Sequence, residues 1–169
     1  VFPGFQGGPI MQMIAAKAVA FEEAAKPEFQ DYAKQIVLNA KHMANLFMEN
    51  GAKLVTNGTD THLMMIDCIT SWGMTGQEVE NLFDDIGITL NKNMIPDDPR
   101  KPMDPSGIRF GTPAITTRGM KEAEMEQLTT YMLSAIEKKD NPSAIKDLHE
   151  EVKVFCKKFP VPGINPEQL

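Results

Sequence analysis

Apolar residues recur at three- and four-residue intervals along most of the chain and give way to short β-type runs in its middle, which predicts helices with a few strands between them. Residues 10–25 are alanine-rich, with Ile14, Ala18 and Phe21 on one face, and read as a helix packed closely on a neighbour. Pro27 restarts a second, long helix whose stripe is Phe29, Ile36, Val37, Ala40, Met43, Ala44 and Phe47, stopped by Gly51. Residues 53–56 and 62–68 read as strands on either side of Asn57-Gly58. Thr75 and Glu78 form a capping box ahead of Val79, Leu82, Phe83 and Ile86. Residues 88–90 are expected to form a strand, 91–106 a loop and 108–111 another strand. A helix capped at or near Thr117 runs through Ile136, and Asn141-Pro142 opens a last one bearing Ile145, Leu148, Val152 and Phe155. The ending FPVPGINPEQL is expected to be a tail.

Strands and helices do not alternate regularly, so a doubly wound parallel sheet is not required. The order predicts an α+β fold, with helices packed on a small, mostly antiparallel sheet. At 169 residues there is room for one domain with a real core, or one domain and a piece of another.

A net charge of -6 and the lack of a basic, aromatic-laced run argue against nucleic acid. No apolar stretch approaches the roughly twenty residues of a membrane span, so no membrane partner is expected. Cys68 and Cys156 lack metal-ligand spacing and read as buried thiols of a reducing compartment, which points to the cytoplasm. His42, His62 and His149 share no ligand spacing either; no metal is expected, and His62 reads as a hydrogen-bonded structural residue. The methionines, such as Met43, Met64 and Met125, mostly fall at core-facing spacings.

Two places could carry chemistry. The first is VFPGFQGGP at residues 1–9, where Gly7 and Gly8 can let successive N–H groups converge on an oxyanion ahead of a helix start, or can simply punctuate the chain. The second is Arg109, between Gly107 and Gly111, whose guanidinium fork suits a carboxylate. Arg118, at a helix start, reads as a solvated surface charge. The chain has no initiator Met, and no strand precedes the phosphate-type turn; it reads as a piece of something longer.

VFPGFQGGP, AAKAVAF, GTDTHL, GITLNKN, IPDDPRKP and SGIRFGTPAITTRG, in this order, resemble serine hydroxymethyltransferase along nearly the whole chain. The resemblance implies the C-terminal part of a fold-type I pyridoxal phosphate enzyme that interconverts serine and glycine with tetrahydrofolate as co-substrate. On that basis residues 1–26 end the large cofactor domain, 27–160 form the small domain and 161–169 are a tail.

The resemblance also assigns residues. Gly7 and Gly8 would reach the cofactor phosphate of the neighbouring subunit, which implies a homodimer with shared active sites or a tetramer. Arg109 would bind the amino-acid carboxylate. Asn93 would face the folate pteridine, and Lys101, Pro102 and Met103 align with a folate-contacting Ser-Pro-Phe stretch. The family's Schiff-base lysine sits in a Thr-Thr-His-Lys motif that these residues do not contain, and Lys17 and Lys92 are poor substitutes. No catalytic residue is therefore assigned to this chain, and alone it is expected to be inactive. The alternative is a catalytically dead module that keeps the fold for dimerisation or for binding a small carboxylate.

Overall fold

The computed structural model describes residues 1–164, so residues 165–169 of the expected tail lie outside the described residues. The chain forms two compact units, residues 1–34 and residues 35–169.

In the first unit, helix α1 (Met11–Ala24) follows an irregular segment. Its N-cap is Ile10, with no side-chain cap, so Pro9 stands before the helix and not in its first turn. No residue of α1 is buried among the described residues. Met11, Ile14, Val19 and Phe21 are all exposed, Phe21 to 72%.

Helix α2 (Pro27–Glu49) supplies the second unit with a buried stripe of Ile36, Asn39, Ala40, Met43, Ala44 and Phe47. Strands β1 (Lys53–Leu54), β2 (Leu63–Asp67), β3 (Asn91–Asn93) and β4 (Gly107–Gly111) make one sheet in the order β1-β2-β4-β3, antiparallel throughout. Around it stand α3 (Cys68–Trp72), α4 (Gly76–Asp85), α5 (Pro113–Thr117), α6 (Glu122–Glu137) and α7 (Pro142–Cys156). This is the α+β arrangement of helices on a small antiparallel sheet.

Strand alternation gives the sheet two unlike faces. Leu54, Met64, Ile66 and Ile108 are buried against Phe47, Phe83, Met125 and Met132 of the helices. Phe110 meets Phe47 edge-on at 5.7 Å. Burying a phenylalanine of this kind is worth about 2–3 kcal/mol, so the core face of the sheet is strongly specified. Leu63, Met65 and Arg109 alternate with those buried residues and stand on the opposite face.

Several local expectations hold. The Thr75–Glu78 capping box is present on both sides, and Asn141 caps α7 by accepting from Ala144 N–H. Others are corrected. The third strand is Asn91–Asn93 and not 88–90: Leu90 is buried, and pairing with β4 makes a polar tripeptide the strand. The outward Lys92 N–H of this edge is satisfied by Glu80 Oε1 at 2.9 Å. The helix expected to be capped at or near Thr117 starts later: Lys121 is the N-cap of α6, whereas Thr117 ends the separate, unanticipated α5, and Gly119 at φ 89° lies between the two. The short α3 was not anticipated; Asp67 caps it, accepting from Thr70 N–H at 3.0 Å and Thr70 Oγ1 at 2.6 Å.

The loop between β3 and β4 is ordered by one carboxylate. Asp98 accepts from Ser106 N–H at 2.9 Å, Ser106 Oγ at 2.7 Å, Arg100 N–H at 2.9 Å and Ile95 N–H at 3.3 Å. Partial burial pushes its pKa up, but these hydrogen bonds prevail and hold it at about 2. The loop end is then threaded tightly past α4. A Cβ on Gly76 would lie 2.1 Å from the Gly107 carbonyl oxygen, which is why glycine stands there.

Candidate functional site

Arg109 sits at the middle of β4, in register with Met65 on one side and Asn91 on the other. Its side chain is exposed, and among the described residues its guanidinium makes no ion pair or hydrogen bond. An unpaired guanidinium on the edge of a cavity is poised to take an anion with two parallel bonds. The cavity has a volume of about 660 Å³. Lys41 and Asn45 of α2, the turn 56–61 and Met65 line it together with Arg109.

Gly107 and Gly111 flank Arg109 for a steric reason: a Cβ on Gly111 would meet the His62 carbonyl oxygen at 2.4 Å, and one on Gly107 would meet that of Ile66 at 2.8 Å. Arg118 differs entirely from the solvated charge expected of it. It is part-buried and donates to the carbonyls of Phe159 at 2.7 Å and Cys156 at 2.9 Å, satisfying the end of α7.

The turn 56–61 is internally bonded. Thr59 Oγ1 donates to the Leu63 carbonyl at 2.6 Å and accepts from Thr61 N–H at 3.1 Å. Asp60 reaches Lys41 at 3.2 Å. The His62 side chain makes no hydrogen bond among the described residues, so the expectation of a hydrogen-bonded structural histidine is corrected; its carbonyl accepts from Thr112 N–H at 3.2 Å. Lys41 and Asn45 were missed at the sequence level. Their signal was a spacing of four on the polar side of α2, which means nothing until the sheet is placed beside it.

Asn93 lies on β3 in register with Gly107, on the same face as Arg109. Its amide nitrogen donates to the Met94 carbonyl at 2.6 Å. Lys101, Pro102 and Met103 are all exposed on the loop, Met103 to 78%. Asp104 closes the turn beneath them by donating its N–H to the Lys101 carbonyl at 2.9 Å, and its carboxylate pairs with Arg100. Lys92 points to α4 and is engaged by Glu80 at 3.1 Å and Gln77 at 2.5 Å.

Gly7 and Gly8 belong to the first unit. Neither takes a positive φ, a Cβ on either would meet nothing within 4 Å, and their N–H groups make no hydrogen bond among the described residues. The glycine-only backbone conformation expected of this turn is therefore not adopted, and both glycines stand ahead of the Ile10 N-cap.

Other groups offer less chemistry. Cys68 is pushed up to about 12, first by burial and then by Asp67, and is inert at neutral pH. No group of three or more His, Cys, Asp or Glu among the described residues could hold a metal ion. No helix among the described residues is long and apolar enough to cross a membrane.

Residues 1–132 match the family model of serine hydroxymethyltransferase. The chain is 50% identical over 163 residues to the serine hydroxymethyltransferase of Acidobacterium capsulatum, covering 96% of this chain and 38% of that protein. It is 49% identical over 161 residues to that of Polynucleobacter necessarius subsp. necessarius, covering 95% of this chain and 39% of that protein. The chain therefore spans about two fifths of the length of these relatives. With a family match that runs from the glycine turn through the Arg109 strand and on into α6, the chain belongs to the serine hydroxymethyltransferase family.

Proposed function

We propose that these residues serve, within a full-length enzyme, the reversible conversion of serine and tetrahydrofolate to glycine and 5,10-methylenetetrahydrofolate. The observation that carries this reading is the unpaired Arg109 guanidinium on the cavity edge, within a segment matched to the family. Arg109 binds the carboxylate of serine or glycine by a bidentate, charge-assisted pair. It thereby fixes the rotation of the amino acid about its α-carbon, which selects the bond to be broken. Arg109 orients and does not move a proton, since a guanidinium stays charged at any working pH.

Pyridoxal phosphate, when bound, supplies an electron sink for the bond broken at the α-carbon. Gly7 and Gly8 offer N–H groups to its phosphate in a neighbouring subunit of a homodimer, or of a tetramer with the same shared sites. Asn93 and the 101–103 loop face the folate, where Lys101, Pro102 and Met103 contribute mainly backbone and stem contacts. Residues 1–26 close the large domain and 27–160 form the small one. No Thr-Thr-His-Lys motif occurs in the 169 residues, so the segment alone is inactive. The protein works in the cytoplasm.

The test is glycine affinity in the full-length enzyme that contains this segment. Arg109→Ala weakens glycine binding by about 2–3 kcal/mol, on the order of a hundredfold, because a charge-assisted pair is lost. Unchanged affinity overturns the carboxylate assignment. A full-length protein that binds glycine but transfers no one-carbon unit to tetrahydrofolate would instead be a carboxylate-binding module.

A further inference from the structure

Met65 lies on β2 and Asn93 on β3, with β4 between them. Their side chains meet nonetheless: Asn93 Nδ2 is 3.9 Å from Met65 Sδ. Between them β4 carries Gly107, the register partner of Asn93. The same amide nitrogen donates to the Met94 carbonyl at 2.6 Å. A primary amide has two N–H hydrogens, and these two acceptors use both. The amide oxygen is left without a partner among the described residues. A thioether is a weak acceptor, yet it is polarizable and sets the direction of the second hydrogen.

We propose that Met65 is a positioning residue: its sulfur, together with the Met94 carbonyl, locks the Asn93 amide so that the oxygen is the group offered to the ligand, which must present an N–H donor there. This rests on the reading of Asn93 as a folate contact, and the pteridine ring carries such N–H groups. Met65 does not touch the ligand in this scheme. Leucine at position 65 would keep the packing but lose the acceptor, leaving the amide able to turn over and offer N–H to N–H. Glutamine would restore an acceptor at about the same reach.

The experiment measures tetrahydrofolate KM, kcat and glycine Kd in the full-length enzyme for Met65→Leu, Met65→Gln, Asn93→Ala and the Met65→Leu/Asn93→Ala double variant. Met65→Leu raises the folate KM roughly three- to fivefold, as expected for one weak hydrogen bond, and moves the folate KM more than it moves kcat. Met65→Gln returns the KM toward the parent value. On the Asn93→Ala background Met65→Leu adds nothing. Equal shifts for Leu and Gln, full additivity in the double variant, or no effect of Leu while Asn93→Ala raises the KM each overturn the role of Met65 alone. An unchanged folate KM in Asn93→Ala overturns the folate assignment of Asn93 and this proposal with it.

Discussion

Asn39 and Thr116, 77 residues apart, share a buried hydrogen bond of 2.9 Å from the Asn39 amide nitrogen to the Thr116 hydroxyl. The same nitrogen donates to the Met120 carbonyl at 2.9 Å, and the amide oxygen accepts from Gln35 Nε2, also at 2.9 Å. Thr112 adds a bond of 2.8 Å from its hydroxyl to the Ile36 carbonyl. Together they fasten the end of β4 to α2, which places Arg109 beside Lys41 and Asn45. Asn39→Ala leaves the Met120 carbonyl buried without that partner and opens a small cavity. It destabilises the chain by about 3 kcal/mol, read as a lower urea midpoint at unchanged slope.

Gly76 and Gly7 are expected to respond oppositely to alanine. At Gly76 every close neighbour of the new methyl is backbone, with the Gly107 oxygen at 2.1 Å and the Pro105 oxygen at 3.1 Å. The loop must shift, at a cost of about 2 kcal/mol or more, and the Gly76 N–H bonded to Pro105 at 2.8 Å exchanges faster. Gly7→Ala meets nothing within 4 Å and changes thermal stability by less than about 0.5 kcal/mol.

The two arginines of SGIRFGTPAITTRG divide the same way. Arg118→Ala removes charge-assisted bonds to the Cys156 and Phe159 carbonyls and costs about 2 kcal/mol of stability, with fraying of the α7 end visible by hydrogen exchange. Arg109→Ala, having no partner to lose among the described residues, leaves the melting temperature nearly unchanged. Equal losses from both would contradict the division into one structural and one ligand-directed guanidinium.

Asp98 makes the chain acid-sensitive. Its folded pKa, about 2, lies below the unfolded 3.8, so between these values the unfolded chain binds more protons. The stability it contributes is present above pH 3.8 and is lost as pH falls through about 2. Its size is at most about 2 kcal/mol, given partial exposure. Asp98→Asn is expected to lower stability at pH 7 and to flatten the acid limb of a pH titration of unfolding free energy.

Legibility in the sequence followed the range of the interaction responsible. The Thr75–Glu78 capping box, the Asn141 cap and the stripe of α2 involve residues a few positions apart, and their pattern is complete in one dimension. Arg109 and the GTDTHL turn stood out in the sequence as separate motifs, and the folded chain sets both on one cavity. Arg118 was misread, since its partners at Cys156 and Phe159 are some forty residues away.

By itself, then, the sequence determined the long helices, the caps at Thr75 and Asn141, the two central strands, the apolar set that makes the core, and the family. Only the tertiary structure decided that the polar Asn91–Asn93 and not the apolar 88–90 would be the edge strand, since pairing with β4 and the Glu80 bond to Lys92 outweigh local propensity. Only it brought Lys41, Asn45 and Arg109 to one cavity and carried Met65 across β4 to Asn93. The physical reason is the same in each case: propensity and capping act within a turn or two of chain, whereas strand pairing and side-chain convergence act between residues that only the folded core brings into contact.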